Sequence, residues 1–194
     1  AEGTRLAGTE STQAVTALAN VEALIEFAGQ DWERSVSAAR RAWGMIDGVD
    51  FAVTHAVAAA AAAKRVDWAR EALAAFDSFE RRGRVISGLH AALVANVAML
   101  EGRWPEARAA YLDARRNLSE ADARYDLALV NLSVAARGQG EMPEAEEALA
   151  AARQFFARVG ADQLVDSYLA AVVPGPDAPA RTTPKESRSG AVAS

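Results

Sequence analysis

The sequence predicts an all-α protein built from repeated helix pairs, and three observations lead to this prediction. Only two prolines, Pro105 and Pro143, lie between residues 10 and 173, and each follows a glycine-containing break, where the first turn of a helix tolerates a missing N–H. No segment alternates apolar and polar residues for long enough to indicate a β-strand. The phrase EGRWPEARAAY (101–111) returns as QGEMPEAEEAL (139–149), and a phrase that returns at this distance is typical of a helical repeat array.

Small and large residues recur at matching places throughout the chain. Trp104 and Met142 are separated by the same distance as Ala107 and Ala145, and similar patterns precede them at nearly the same spacing. Apolar stripes at helical spacing accompany each unit. These spacings predict four units, each a pair of antiparallel helices, at about residues 12–46, 50–82, 84–117 and 119–160.

The remaining segments are predicted to flank this array. Residues 161–173 carry an apolar stripe and are predicted to form a capping helix, because the exposed end of a repeat array is apolar and needs a lid. The repeat domain therefore spans residues 10–173, after a flexible N-terminus over residues 1–9. From residue 174 to residue 194 the chain is rich in Pro, Ser and small residues, which predicts a disordered tail.

Composition excludes several classes of function. The chain of 194 residues is 51% hydrophobic and 24% charged, an ordinary globular balance. Its net charge of −5 argues against nucleic-acid binding, which needs clustered positive charge. No stretch reaches the roughly 18 uninterrupted apolar residues of a membrane span. The absence of cysteine excludes disulfides and thiolate metal sites and fits a cytoplasmic protein.

Two segments resemble the tetratricopeptide repeat. LVANVAMLEGRWPEARAAYLDA (93–114) has glycine at the turn, an aromatic residue at the start of the second helix, and then small, large and small residues. LVNLSVAARGQGEMPEAEEALAAA (129–152) follows the same pattern. The resemblance implies a tetratricopeptide-like helical solenoid of about four helix hairpins plus a C-terminal capping helix. The first two units depart from the pattern, because Gln30 and Asp67 stand where the turn glycine is expected.

A narrower resemblance rests on the alanine-rich repeats and on ARQFFARVGADQL (152–164). They are similar to the C-terminal helical regions of large bacterial signalling proteins, among them nucleotide cyclases of the adenylate/guanylate type and regulators built on a signalling ATPase. This resemblance implies that the chain is a fragment, or a stand-alone relative, of a multidomain regulator. None of the catalytic modules of those proteins is present in the sequence.

The sequence predicts neither an enzyme nor a cofactor or metal protein. It contains no phosphate loop, dinucleotide fingerprint or nucleophile elbow. His55 and His90 have no acidic or histidine partner at metal-ligand spacing, so both are interpreted as structural or surface residues. The acidic residues of segment 141–147 are interpreted as solvent-exposed charges near a helix start.

The resemblance implies that a concave face, lined by the first helix of every unit, is the candidate partner-binding groove. Such a groove holds an extended or helical peptide through apolar anchors and a few polar contacts. The residues carried onto this face are Asn20, Leu24, Thr54, Val57, Lys64, Arg65, Leu89, Asn96, Met99, Leu127, Val130, Val134 and Arg137.

The favoured function is a non-enzymatic scaffold that presents this groove to a protein or peptide partner. Two alternatives stay open at this point. One is a regulatory domain that binds a small molecule in the concavity, and the other is a structural oligomerisation element whose apolar helix faces pair between copies.

Overall fold

The structure, a computed structural model, describes residues 2–43, 49–78 and 82–172, with side chains from residue 14 in the first range and from residue 53 in the second. Within these ranges the chain is all-helical and has no β-strand, as the sequence predicts. The helices in chain order are α1 (Glu2–Ala28), α2 (Trp32–Trp43), α3 (Val49–Ala63), α4 (Val66–Asp77), α5 (Arg84–Leu100), α6 (Trp104–Glu120), α7 (Arg124–Arg137), α8 (Ala145–Arg158) and α9 (Asp162–Val172).

Consecutive helices pack against each other along the whole described chain. The first eight fall into four successive pairs, one within each predicted unit, and α9 follows as a single helix. The ends differ from the predicted boundaries in two places. Helix α1 begins at Glu2, so the backbone is helical through most of segment 1–9, and α6 continues to Glu120 before α7 begins. The predicted tail over residues 174–194 lies outside the described residues.

The turns between paired helices share one backbone feature. A residue in the left-handed region stands at Gln30 (φ 63°), Lys64 (φ 56°), Gly102 (φ 74°) and Gly140 (φ 80°), once in each pair and at nearly even intervals along the chain. Glycine adopts this conformation without steric cost, which explains why the repeated phrase contains it. The prediction that Asp67 takes this place in the second unit is wrong, because Lys64 takes it.

The same hydrogen bond closes several of these helix ends. The N–H of Asp31 donates to the carbonyl oxygen of Glu26 at 2.9 Å, and the N–H of Arg103 donates to that of Ala98 at 2.9 Å. This bond, from a residue just after the helix to a carbonyl in its last turn, is the Schellman motif that accompanies a left-handed residue. It recurs at Arg65–Ala60, Ala123–Leu118 and Ala161–Phe156.

Helix α3 is the centre of the molecule. It contacts α1, α2, α4, α5, α7 and α9, and every residue from 53 to 62 is buried. A helix that is buried on all sides needs apolar side chains on nearly every face and a hydrogen-bond partner for each polar one. The alanine run of this segment meets that need, and its small side chains allow the surrounding helices to approach closely. The alanine-rich composition of the sequence is thus explained by packing around one helix.

Helix α9 closes the array onto its own first unit. Its Tyr168 is buried and lies 5.8 Å from Phe27 and 5.9 Å from Trp32, measured between ring centroids. Those two aromatic residues flank the turn between α1 and α2. The predicted cap therefore does more than cover the last helix pair, because it packs against the central helix α3 as well as against α7 and α8.

Candidate interaction surfaces

The predicted groove is occupied by the side chains that were expected to line it. Thr54, Val57, Leu89, Asn96 and Val130 converge from α3, α5 and α7 on one cavity of about 10 Å³. All five are buried. A volume of that size is close to the space that one water molecule needs. The inner face between these three helices is therefore part of the core.

The other predicted groove residues do not join this cavity. Met99 and Val134 are buried, and the remaining ones lie at the margins of the bundle. Lys64 and Arg65 are exposed at the turn between α3 and α4. The half-buried residues are Asn20, Leu24, Leu127 and Arg137.

Polar contacts hold α3 against α7 and keep the inner face closed. The hydroxyl of Thr54 donates to the Oδ1 of Asp126 at 3.1 Å. The Nε2 of His55 lies 2.7 Å from the hydroxyl oxygen of Tyr125. His55 is fully buried, which agrees with its interpretation as a structural residue. These contacts satisfy polar groups that would otherwise be costly to bury, so they favour the closed arrangement.

The three cationic residues of the predicted groove, Lys64, Arg65 and Arg137, have different surroundings. The Nε of Arg65 donates to the Oδ1 of Asp67 at 2.8 Å, and its guanidinium carbon lies 4.4 Å from the ring centroid of Trp68. This hydrogen bond lowers the pKa of Asp67 to about 2. Lys64 is exposed, and the Nε of Arg137 is buried without a hydrogen bond to any described residue.

The acidic cluster of segment 141–147 takes part in contacts between repeats. The Nε of Arg108, in α6, donates to the Oε1 of Glu144 at 2.8 Å, and this bond lowers the pKa of Glu144. Arg115 pairs with Glu147 in the same way. The earlier helix pairs have equivalent links, with Arg40 to Glu71 and Arg70 to Glu101. These carboxylates therefore link successive helix pairs, and the prediction that the cluster faces solvent is wrong for Glu144, whose side chain is only 11% exposed.

The second histidine lies on the surface. His90 is exposed, and its Nε2 is 3.1 Å from the Oδ1 of Asp77. Among the described residues, no group of three histidine, aspartate or glutamate side chains is arranged to hold a metal ion.

One helix carries a continuous apolar surface that is exposed within the described part of the chain. Of the six large apolar side chains that are exposed within the described residues, four belong to α1. Val15 is 46% exposed, Leu18 69%, Val21 52% and Ile25 61%. The other two, Leu112 and Val159, lie on different helix pairs. Clustering of this kind marks interaction surfaces more often than scattered single residues do.

The exposed residues of α1 follow the spacing of a coiled coil. Intervals of four, three, four and three residues connect Ala14, Leu18, Val21, Ile25 and Ala28, all of which are exposed. Alternating intervals of three and four place side chains in one stripe along a helix, the a and d positions of a heptad. We call these five residues the α1 seam.

The opposite face of the same helix is built into the core. Ala19, Ala23 and Phe27 are buried against α2 and α3. The hydroxyl of Ser35, in α2, donates to the carbonyl oxygen of Ala23 at 2.9 Å. The C-terminal half of α1, which carries the α1 seam, is therefore held in place by its packing against α2 and α3.

Ion pairs border the α1 seam. Glu22 pairs with Arg41 of α2, and Glu26 lies 4.0 Å from Arg34, measured between Oε1 and Nη1. Each carboxylate beside the seam thus has a guanidinium from α2 near it. This border is close to neutral, so it does not repel an approaching surface of either sign.

Sequence reasoning missed the α1 seam because it assigned one face to each helix. The repeat pattern places Asn20 and Leu24 on the concave face and assigns no role to Val15, Leu18, Val21 and Ile25. The signal was nevertheless present. The segment AVTALANVEALIEFA (14–28) is apolar on two sides, with one stripe at 19, 23 and 27 and another at 14, 18, 21, 25 and 28.

Comparisons of the chain with models of protein families, with curated proteins and with solved structures give no match. Across the described part of the chain, no helix combines the length and the apolar character that crossing a membrane requires.

Proposed function

We propose that the chain is a non-catalytic helical-repeat module that associates with another protein through the α1 seam. The observation that carries this proposal is the exposure of Leu18, Val21 and Ile25 on a helix whose opposite face is part of the core. Removing apolar surface from water stabilises a complex by about 25 cal/mol per Å². The heptad spacing of the seam fits a helix, because the side chains of a partner helix fit between residues so spaced.

We also propose that the helix pairs form a tetratricopeptide-like solenoid. Left-handed turn residues that recur once in each helix pair support it, as does Pro105 in the first turn of α6. Proteins built from such repeats work as rigid supports for a binding surface. A multidomain signalling regulator is the host that the sequence resemblance suggests, and a rigid module with one apolar face suits that role.

The α1 seam is favoured over the concave face as the docking surface. The five groove residues that meet between α3, α5 and α7 leave only about 10 Å³ between them. Sites for small molecules usually enclose about 300–1,000 Å³, and an amphipathic helix needs a groove of its own length. The space between these three helices is thus much smaller than such sites usually are, which supports the α1 seam as the docking surface.

The experiment compares three baits made from the full chain: the unchanged protein, Val21→Glu and Val159→Glu. Val159 is 60% exposed and Val21 is 52% exposed, so the two substitutions place the same charge at equally open sites. Each bait is incubated with an extract of the source organism, cross-linked lightly and analysed by quantitative mass spectrometry. Proteins bound at the α1 seam, additional copies of the chain included, are expected to fall about tenfold or more with Val21→Glu alone.

The proposal fails if every protein retained by the unchanged chain is retained equally by Val21→Glu. Circular dichroism and thermal unfolding of the three baits check that each is folded. Because both valines are more than half exposed, neither substitution is expected to change stability by more than about 0.5 kcal/mol.

A further inference from the structure

We infer that the α1 seam is occupied by the seam of a second copy of this chain, with the two α1 helices antiparallel and Leu18 of each copy facing Val21 of the other. This inference rests on the proposed function, since it names the partner of the same surface. It predicts a closed dimer related by a twofold axis that passes between residues 19 and 20 of both helices. Three features of the described residues lead to it.

The first feature is the spacing itself. A heptad seam buries its side chains best against another heptad seam, because each large side chain enters a hole formed by four residues of the facing helix. The chain carries such a seam on α1, with Leu18 and Ile25 at one heptad position and Val21 at the other. A second copy supplies a partner of matching period and length.

The second feature is the contrast between the two ends of the array. The first helix presents the apolar α1 seam, whereas the last helix presents polar side chains. Asp162, Gln163 and Asp166 are exposed on α9, and Asp166 accepts a hydrogen bond from Arg153 at 3.0 Å. If copies stacked head to tail, the apolar α1 seam of one copy would lie against the polar surface of α9 of the next copy. Pairing α1 with α1 buries both seams and closes the assembly, as twofold interfaces do.

The third feature is the complementarity of the antiparallel register. When Leu18 faces Val21 of the second copy, Ile25 faces Ala14, so a large side chain meets a small one. Alternation of large and small residues across a helix interface allows the side chains to interdigitate. The charged residues that border the seam, Glu22 with Arg41 and Glu26 with Arg34, belong to ion pairs within each copy. This register brings Glu22 near residue 17 of the second copy, an alanine, and no like charges meet at the centre.

The size of the interface sets its strength. Pairing of one helix from each copy buries less than the roughly 1,200 Å² at the lower end of specific, stable interfaces. Assembly is therefore expected to depend on concentration, with dimers forming in the micromolar range. Moderate salt should weaken the dimer little, because the driving force is apolar burial.

Light scattering after size exclusion, over a range of concentrations, tests the inference on the full chain. The mass of the unchanged protein is expected to rise from 20.5 kDa toward about twice that value as concentration increases. Val21→Glu is expected to stay at the monomer mass throughout, because it puts a charge into the seam, while Val159→Glu behaves like the unchanged protein. A monomer at all concentrations, or a dimer that tolerates Val21→Glu, overturns the inference.

Cysteine pairing tests the orientation. The chain has no cysteine, so Leu18→Cys and Val21→Cys each introduce a single thiol. Under mild oxidation, a mixture of the two variants is expected to form a cross-linked dimer, while each variant alone forms little. Cross-linking of each variant with itself would show parallel helices, and no cross-linking in any sample would show that the seams do not meet. Either result overturns the antiparallel pairing.

The outcomes separate this inference from the proposed function. If the chain is monomeric and another protein is nevertheless lost from the Val21→Glu bait, the seam binds that protein and only the inference fails. If the chain is monomeric and no captured protein depends on Val21, both fail.

Discussion

Tyr168 donates its hydroxyl hydrogen to the carbonyl oxygen of Ala58 at 2.9 Å, across 110 residues of sequence. This bond joins the last described helix to the central one. The ring of Tyr168 also contacts Phe27 and Trp32 of the first helix pair, so one side chain links both ends of the array. The proposed solenoid is therefore strongly curved, because its last described helix packs against α3 and against the aromatic residues of the first helix pair.

Substitutions of Tyr168 measure how much this closure contributes to stability. Tyr168→Phe removes the hydrogen bond but keeps the ring, and we expect it to lower the free energy of unfolding by about 1 kcal/mol. Tyr168→Ala also removes the buried ring and should cost about 3–5 kcal/mol. Both values are obtained from urea unfolding followed by circular dichroism. Equal, small effects of the two variants would mean that α9 contributes little to the folded state.

The close packing around α3 predicts a strong effect of added volume at its centre. Ala60 is fully buried, so Ala60→Leu must force the surrounding helices apart, at a cost of about 1–3 kcal/mol or more. Ala151→Leu is the matched control, since Ala151 is exposed on α8 and its replacement should stay within about 0.5 kcal/mol. Thermal unfolding of both variants checks the difference. If Ala60→Leu is as stable as the control, α3 has free space around it.

The helical class and the pairing of helices could be predicted from the sequence, because the residues that indicate them lie close together in the chain. Proline positions, the repeated phrase and the glycines of the turns each act within one helix pair, and they indicate the helical class and the pairing. Gln30 and Lys64 show the limit of such reasoning. Both adopt the left-handed conformation that glycine favours, although neither residue type predicts that conformation.

The candidate surface was predicted less well because it depends on curvature. Thr54 and Val57 of α3 and Val130 of α7, three residues of the predicted groove, line one cavity together with residues of α5. Whether the groove is open depends on how far successive pairs rotate, which is set by contacts between residues distant in sequence. Tyr168 with Ala58 and His55 with Tyr125 are such contacts, 110 and 70 residues apart. No local pattern contains this information.

Gly88 is predicted to be required by contact with the neighbouring helix. It lies inside α5, where glycine normally costs about 1 kcal/mol relative to alanine. A Cβ at this position would lie 2.7 Å from the Cγ of Leu118, which is fully buried in α6. Helix propensity alone would make Gly88→Ala stabilising. Because of the contact with Leu118, we expect the substitution to destabilise the protein.

The Leu118→Ala background tests the cause. There the Cγ and Cδ2 of Leu118 are gone and the Cβ of Asn117, at 3.2 Å, is the close atom that remains, so Gly88→Ala should be less destabilising by about 1 kcal/mol or more. The four proteins form a double-mutant cycle that is measured by urea unfolding. An equal effect of Gly88→Ala in the two backgrounds would show that contact with Leu118 does not explain the glycine.

The three tyrosines of the chain predict an unusual response to alkali. Tyr111, Tyr125 and Tyr168 are all the tyrosines present, and burial raises the pKa of each above the ordinary value of 10.0. In the folded protein the neutral phenols are therefore retained where the unfolded chain has already lost its protons. The stability that they contribute is complete below about pH 10 and is lost as the pH rises further.

Tyrosinate absorbance measured against pH checks this expectation. The folded protein should show almost no ionisation near pH 10, followed by a cooperative rise that coincides with loss of the helical signal in circular dichroism. In concentrated urea all three residues should titrate near pH 10, which gives the reference. Ionisation of one residue near pH 10 in the native protein would place that tyrosine in contact with water. Repeating the titration with Tyr168→Phe identifies whether α9 is the part of the bundle that opens.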